Sequence, residues 1–435
     1  MESAPCLTFL PRLPAELWLH ILRIATSTPT SLSSHYEPFQ SCHDSATLAS
    51  AALSDKRSIS LVCKQWHTLS RSMLYEDIRI GRGITALHAA LDTCPSDDHR
   101  ELRYHVRRVV LPYTYTATPM RHPPPALELL ALLPQVQVLV RPPIITRYAR
   151  VACGVGAAVP VFSYPTGAPA LPALRRLEWA FEPTGNAARA GGINALDDVL
   201  RVTPALEELV LSGAMPTSTL RHHHIRLRAL RTLRLTAGAA ACPLVARQVA
   251  YLALPALDTL VLLGAARADS LEPLVEAFAA QVRVLELGPG VPSLEAHKII
   301  AAFPALEELN VHVGGADTGA GRALRVCAHD KLRRVGLCVD SQEWDGEIWS
   351  AAVGCVEKFV EGCSALQDIV LFARGVHIPA ENPQFDALRE SVRSHGRQLQ
   401  LHPLSPSTRK PPIQSVVSAP PVFISSEFAH ILWEK

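Results

Sequence analysis

Three consecutive histidines, His222-His223-His224, are the residues best suited by type to hold a metal ion. Their spacing does not serve that chemistry. Neighbours on an extended chain point opposite ways, and no Cys or carboxylate stands at ligand spacing, so a solvated loop is expected. Gly154-Val155-Gly156-Ala157-Ala158-Val159 approaches a dinucleotide fingerprint but lacks the third glycine and a βαβ context, and it too reads as loop. No P-loop, Gly-x-Ser-x-Gly elbow or His-Glu-x-x-His occurs. The expectation is a chain with no catalytic residue, metal or cofactor of its own, which is to say no enzyme. What remains is binding chemistry. Arg176, Glu178, Glu208, Arg234, Glu286, Glu308, Asn310 and Arg334 all alternate with leucines or other apolar residues, so they share one face of whatever carries them.

The elements that carry them come from a recurring phrase, Pro-Ala-Leu-x-x-Leu-x-apolar. Near-verbatim copies begin at Pro172, Pro204, Pro255 and Pro304. The last apolar position recurs at 179, 211, 235, 262, 287, 311, 337 and 371, in steps of 32, 24, 27, 25, 24, 26 and 34. A fixed apolar frame at near-constant period marks stacked repeats. The Leu-x-apolar end is a short strand with both apolar side chains on one face. The proline ends the preceding helix, because the residue before a proline is pushed out of the helical region. One strand and one helix cannot bury their own apolar faces, so neighbouring units must stack. Aligned by register, the outward columns run Arg176, Glu208, Thr232, Thr259, Val284, Glu308, Arg334, Asp368 and Glu178, Val210, Arg234, Val261, Glu286, Asn310, Gly336, Val370. Both are expected to face water and to offer the surface on which a target protein binds.

The phrase resembles the leucine-rich repeat family, with its L-x-x-L-x-L pattern. Where the family places Asn or Cys, this chain has Ser212-Gly213, Thr236-Ala237 and Leu263-Gly264. An irregular solenoid is therefore expected, with parallel strands on one face and helices on the other. Its helices are predicted at Ile84–Leu91, Leu127–Leu133, Ile193–Val202, Val245–Leu252, Leu271–Phe278, Leu294–Phe303 and Ile348–Val360. Residues 141–170, rich in Pro, Gly and small residues, read as an insertion loop.

The totals exclude several function classes. Formal net charge is +2, with 42 Lys and Arg against 40 Asp and Glu, which makes no electrostatic case for nucleic acid or an anionic membrane. The 10 cysteines include no C-x-x-C, so buried, reduced thiols in a cytoplasmic or nuclear protein are expected. No signal pattern opens the chain, and no apolar run reaches the roughly 20 residues that span a bilayer.

Near the N-terminus, Leu13-Pro14-x-Glu16-Leu17…Ile21-Leu22 is followed by Leu61-Val62-Cys63-Lys64-x-Trp66. Both halves sit at helical spacing. In this order, ahead of repeats, they resemble the F-box, and the combination resembles the F-box-like proteins abundant in mushroom-forming fungi. The halves are separated by 48 residues between Pro14 and Cys63, longer than is usual for that family. The resemblance implies an α/β chain with four parts: a tail (1–11), an F-box-like helical module (12–75) with an insert at about 26–54, a solenoid (76–403) and a Pro/Ser-rich tail (404–435). It implies that Leu13, Pro14, Leu17, Ile21, Leu22, Leu61, Val62, Cys63 and Trp66 dock on a Skp-type adaptor and, through it, a cullin. The function it implies is substrate recognition in an SCF-type ubiquitin ligase, for a target protein that one sequence does not name. A repeat scaffold without ligase recruitment is the alternative, motivated by the long insert. An enzyme would rest only on the unread loop at 141–170. Phe428, Ile431, Leu432 and Trp433 are either a frayed end, a terminal cap or a short docking peptide.

Overall fold

The repeated Pro-Ala pair forms a tight turn. Leu174, Leu206, Leu257 and Leu306 each donate a backbone N–H to the carbonyl three residues earlier, at Leu171, Thr203, Leu254 and Phe303. Proline is therefore the second residue of a β-turn, where its fixed φ is already correct. The leucine that follows drops into the core, and the chain leaves as a strand. Leu366 and Leu230 make the same turn without proline, on Cys363 and Leu227.

The computed structural model describes residues 13–26, 32–40, 46–80, 84–92, 102–111, 126–141, 170–181, 196–213, 225–236, 243–264, 266–313, 329–339, 346–374 and 383–404. The polyhistidine, the Gly154–Val159 stretch and nearly all of the 141–170 loop lie outside them. So do both tails, with the Phe428–Trp433 cluster.

Three helices come first, α1 (Ala15–Thr26), α2 (Ala46–Ser60) and α3 (Lys64–Glu76). Next come β1 (Asp77–Arg79), α4 (Ile84–Asp92), α5 (Leu102–His105), β2 (Arg108–Val110), α6 (Ala126–Ala131), β3 (Val138–Arg141) and β4 (Arg176–Ala180). The middle holds α7 (Leu196–Arg201), β5 (Glu208–Ser212), β6 (Thr232–Thr236), α8 (Pro243–Ala250), β7 (Thr259–Leu263), α9 (Ala268–Phe278) and β8 (Val284–Leu287). The last part is α10 (Ser293–Ala301), β9 (Glu308–Val313), β10 (Arg334–Val339), α11 (Gly346–Gly362), β11 (Asp368–Arg374), α12 (Pro383–Ser394) and β12 (Gln398–Leu404).

Among the described residues the strands make one sheet of 12, all parallel and in sequence order. Each strand pairs only with its chain neighbours, which is the one-dimensional stacking expected of a repeat. The pairing carries the two predicted columns through unbroken: Arg176 opposite Glu208, Glu208 opposite Thr232, and so on to Arg334 opposite Asp368. On the other side, a single apolar cluster runs from Ile78 to Leu399. It joins Leu177, Leu209, Leu233, Leu260, Leu285, Leu309, Val335 and Ile369 to helix residues such as Val245, Leu271, Ile299 and Phe359. Glu295 links two repeats: its Oε2 accepts the Ala268 N–H at the start of α9 at 2.8 Å. That bond, set against some desolvation and helped by Lys298, holds the carboxyl below its usual range.

Two expectations need correcting. Helix α12 was not read from sequence, because only Phe385, Leu388 and Val392 mark its buried face. Within the predicted insert, residues 46–54 belong to α2, and residues 32–40 do not stand off in solvent.

Candidate functional site

The helical module is built from its caps. The Pro14 carbonyl accepts the N–H groups of Leu17 and Trp18, starting α1. Cys63 is the N-cap of α3, in extended conformation, and its Sγ accepts the Trp66 N–H at 3.5 Å. That contact accounts for the Cys-x-x-Trp spacing: the cap atom reaches the third helical residue. Trp18 and Trp66 then meet with ring centroids 5.3 Å apart, tying α1 to α3.

Around this contact the apolar residues are left in water. Leu17, Ile21, Ile24, Leu61 and Val62 are between 44% and 73% exposed. The first three recur at i, i+4 and i+7 along one stripe of α1, and the last two form the turn between α2 and α3. Pro14 is also exposed, and Leu13, Cys63 and Trp66 are half-buried. Leu22 is the exception among the predicted adaptor residues. It is 3% exposed, and its place among the helices makes it a residue that holds the module together.

The sheet face is the reverse. Glu178, Glu208, Arg234, Glu286, Asn310 and Arg176 are all buried, which corrects the expectation that they face water. Glu308 is half-buried, and Arg334 is exposed between Glu308 and Asp368. Two things remove the others from solvent. First, they pair across strands: Arg176 bridges Glu178 at 2.8 Å and Glu208 at 3.4 Å, and Arg234 Nε meets Glu208 Oε1 at 2.6 Å. Second, residues 33–40 lie across them.

This segment crosses the strands from β4 to β11. Arg176 Nη1 donates to the Ser33 carbonyl at 3.0 Å, and Ser34 Oγ donates to Glu207 at 2.7 Å. The Tyr36 ring lies under the Arg234 guanidinium, 5.3 Å from its centroid. The Tyr36 hydroxyl donates to Glu286 Oε2 at 2.8 Å and accepts from Asn310 Nδ2 at 2.9 Å. Glu286 Oε2 also accepts the Phe39 N–H at 3.0 Å. Phe39 ends the crossing edge-on to His312 and Phe372, at 4.9 and 5.0 Å, over Cys338. Burial foremost, then the Glu286 carboxylate, pushes the Tyr36 phenol well above its ordinary value, so it stays protonated and donates.

Gly336 makes room for this arrangement. A Cβ there would collide with Asn310 Oδ1 and press on Phe372, so the glycine lets Asn310 lean over the next strand and reach Tyr36. Sequence reasoning put every column residue in the right register but most of them wrongly in water, and it missed the segment that covers them. The available signal was Tyr36-Glu37-Pro38-Phe39, two aromatics in a stretch that is otherwise polar.

No protein-family model matches the chain, and no curated protein is significantly similar to it. Its chemistry therefore has to be read from the two surfaces themselves. Among the described residues, no group of three or more His, Cys, Asp or Glu could hold a metal ion, and no helix is long and apolar enough to cross a membrane.

Proposed function

We propose that the chain is the substrate-recognition subunit of an SCF-type cullin–RING ubiquitin ligase. In this reading the N-terminal helices form an F-box that docks on a Skp-type adaptor, and the solenoid holds a target protein. The chain itself makes and breaks no bond. It raises the local concentration of a target lysine at the transferring enzyme. The compartment that goes with this role is the cytoplasm, the nucleus or both.

One observation carries the reading. Five of the nine large apolar side chains exposed among the described residues lie on α1 and the α2–α3 turn. Apolar side chains gathered in one small module, rather than scattered, mark an interaction site. Four of the five, Leu17, Ile21, Leu61 and Val62, fall on motif positions that resemble the F-box. The alternative was a scaffold whose long insert mis-sets the two halves. It is weakened by the Trp18–Trp66 contact, which brings both halves together despite the insert.

The test is co-purification of the full chain with a Skp-type adaptor, with wild type, Trp66→Ala and Leu13→Ala/Pro14→Ala compared. Trp66→Ala is expected to lose about 2 kcal/mol or more of adaptor binding, as a central aromatic does. Binding unchanged by both variants, or absent from the wild type, overturns the proposal.

A further inference from the structure

Residues 33–40 are held differently from the rest of the chain. They are joined to α1 and α2 by short stretches, residues 27–31 and 41–45. They are not part of the apolar core that runs from Ile78 to Leu399. Phe39 sits instead in a small separate cluster with Cys338 and Phe372. Lifting the segment off would leave the main core untouched.

The contacts also have the form of recognition. Glu286 reads two things with one oxygen: a tyrosine hydroxyl and a main-chain N–H three residues on. Asn310 supplies the donor that completes the hydroxyl, and Arg234 covers the ring. His312, Phe372 and Cys338 form a seat for one further aromatic ring. Between the two anchors the Gln40 N–H reaches the Glu37 carbonyl, with Pro38 second in the turn. Phe39 is third, with φ of 59°. That is the backbone of a type II turn, and its third position normally takes Gly or Asn. A phenylalanine held there in the left-handed region stays because the aromatic seat retains it.

We infer that the sheet face is a binding site for a peptide carrying a tyrosine and, three residues on, a phenylalanine in a tight turn, and that residues 33–40 fill it in cis. A target segment of the same chemistry takes their place. Tyrosine satisfies Glu286 and Asn310 without adding charge to a buried site, and the phenylalanine occupies the aromatic seat. The inference rests on the target-binding half of the proposed function. It does not use the adaptor.

The cis segment sets how strongly a partner must compete. A short tether gives an effective concentration of about 1 mM, so a peptide with an intrinsic Kd of about 10 μM would bind the closed chain roughly 100-fold more weakly. The experiment uses fluorescence anisotropy with a labelled peptide of the sequence Leu32–Gln40. It is titrated with the full-length wild type and with full-length Tyr36→Ala/Phe39→Ala, each checked by circular dichroism. The double variant is expected to bind the peptide, and the wild type roughly 100-fold more weakly. A peptide with both aromatics replaced by alanine is expected not to bind. The inference is overturned if the folded double variant binds no better than wild type. It is equally overturned if the double variant fails to fold, since a face that needs its occupant cannot be vacated. Adaptor binding of the same variant, measured in parallel, separates failure of this inference from failure of the ligase reading.

Discussion

On α1, Leu17, Ile21 and Ile24 stand in water, while across the sheet Glu178, Glu208, Arg234 and Glu286 are shut away from it. Globular proteins ordinarily place these residue types the other way round. The two regions of this molecule invert the rule for different reasons. The helical module is too small to bury every apolar side chain, and several left over lie on the helix that carries Trp18. The sheet has carboxylates and guanidiniums in register on neighbouring strands, and it buries them by pairing them and laying its own chain on top. The apolar surface is exposed, whereas the polar surface is already covered by residues 33–40. An exposed apolar stripe gains from any well-fitting cover, at about 25 cal/mol per Å² buried. A buried charge network tolerates only a cover that supplies the right donors and acceptors. Under the proposed function, the module would suit one constant partner and the sheet face discrimination.

The comparison breaks most sharply with charge removal. Arg234→Ala leaves the buried Glu208 without the guanidinium 2.6 Å away, and is expected to destabilise the fold by roughly 3–5 kcal/mol. Ile24→Ser on the exposed helix should stay within about 0.5 kcal/mol of wild type. Urea denaturation of both variants measures the difference. Two similar values would mean that the sheet charges are not an integral part of the structure.

A smaller effect sharpens the account of the segment itself. Gly336→Ala displaces Asn310 and removes the donor on the Tyr36 hydroxyl. About 0.5–1.5 kcal/mol of docking should be lost, the net value of one hydrogen bond, with the solenoid otherwise intact. Limited proteolysis within residues 33–40, expected to quicken in the variant, reads this out.

The smallest effect is one of pH. The folded Tyr36 phenol is held above its unfolded value, so its contribution is complete below the unfolded pKa of about 10 and is lost as pH rises through the raised value. Alkaline titration should show one tyrosine ionising later than the others and absent from Tyr36→Phe. Ordinary ionisation of every tyrosine would contradict the buried donor.

Local pattern carried most of the fold. Alternation in each strand set which residues share a face, and the Pro-Ala pair marked where four of the strands begin, so both columns could be aligned from sequence. Helix α12 was lost for want of signal, with only three buried apolar residues in 12. The cover on the sheet was lost for a different reason. Asn310 lies 274 residues from Tyr36, and Arg176 lies 143 from Ser33. Nothing local in Leu32–Gln40 shows periodicity, so the segment reads as a loop until its distant partners are known. The carboxylates were assigned to solvent by the same local logic. Their burial depends on cross-strand pairing and on a segment placed by tertiary contact.

The central claim is that the open apolar surface and the filled polar surface work separately, one holding the adaptor and the other awaiting a target. Isothermal titration of a Skp-type adaptor into three full-length proteins tests it: wild type, Leu17→Asp/Ile21→Asp and Tyr36→Ala/Phe39→Ala. The account predicts tight binding by wild type, binding weakened by tenfold or more in the α1 variant, and no change in the Tyr36/Phe39 variant. Equal binding by wild type and the α1 variant, or no binding by any of the three, would contradict it.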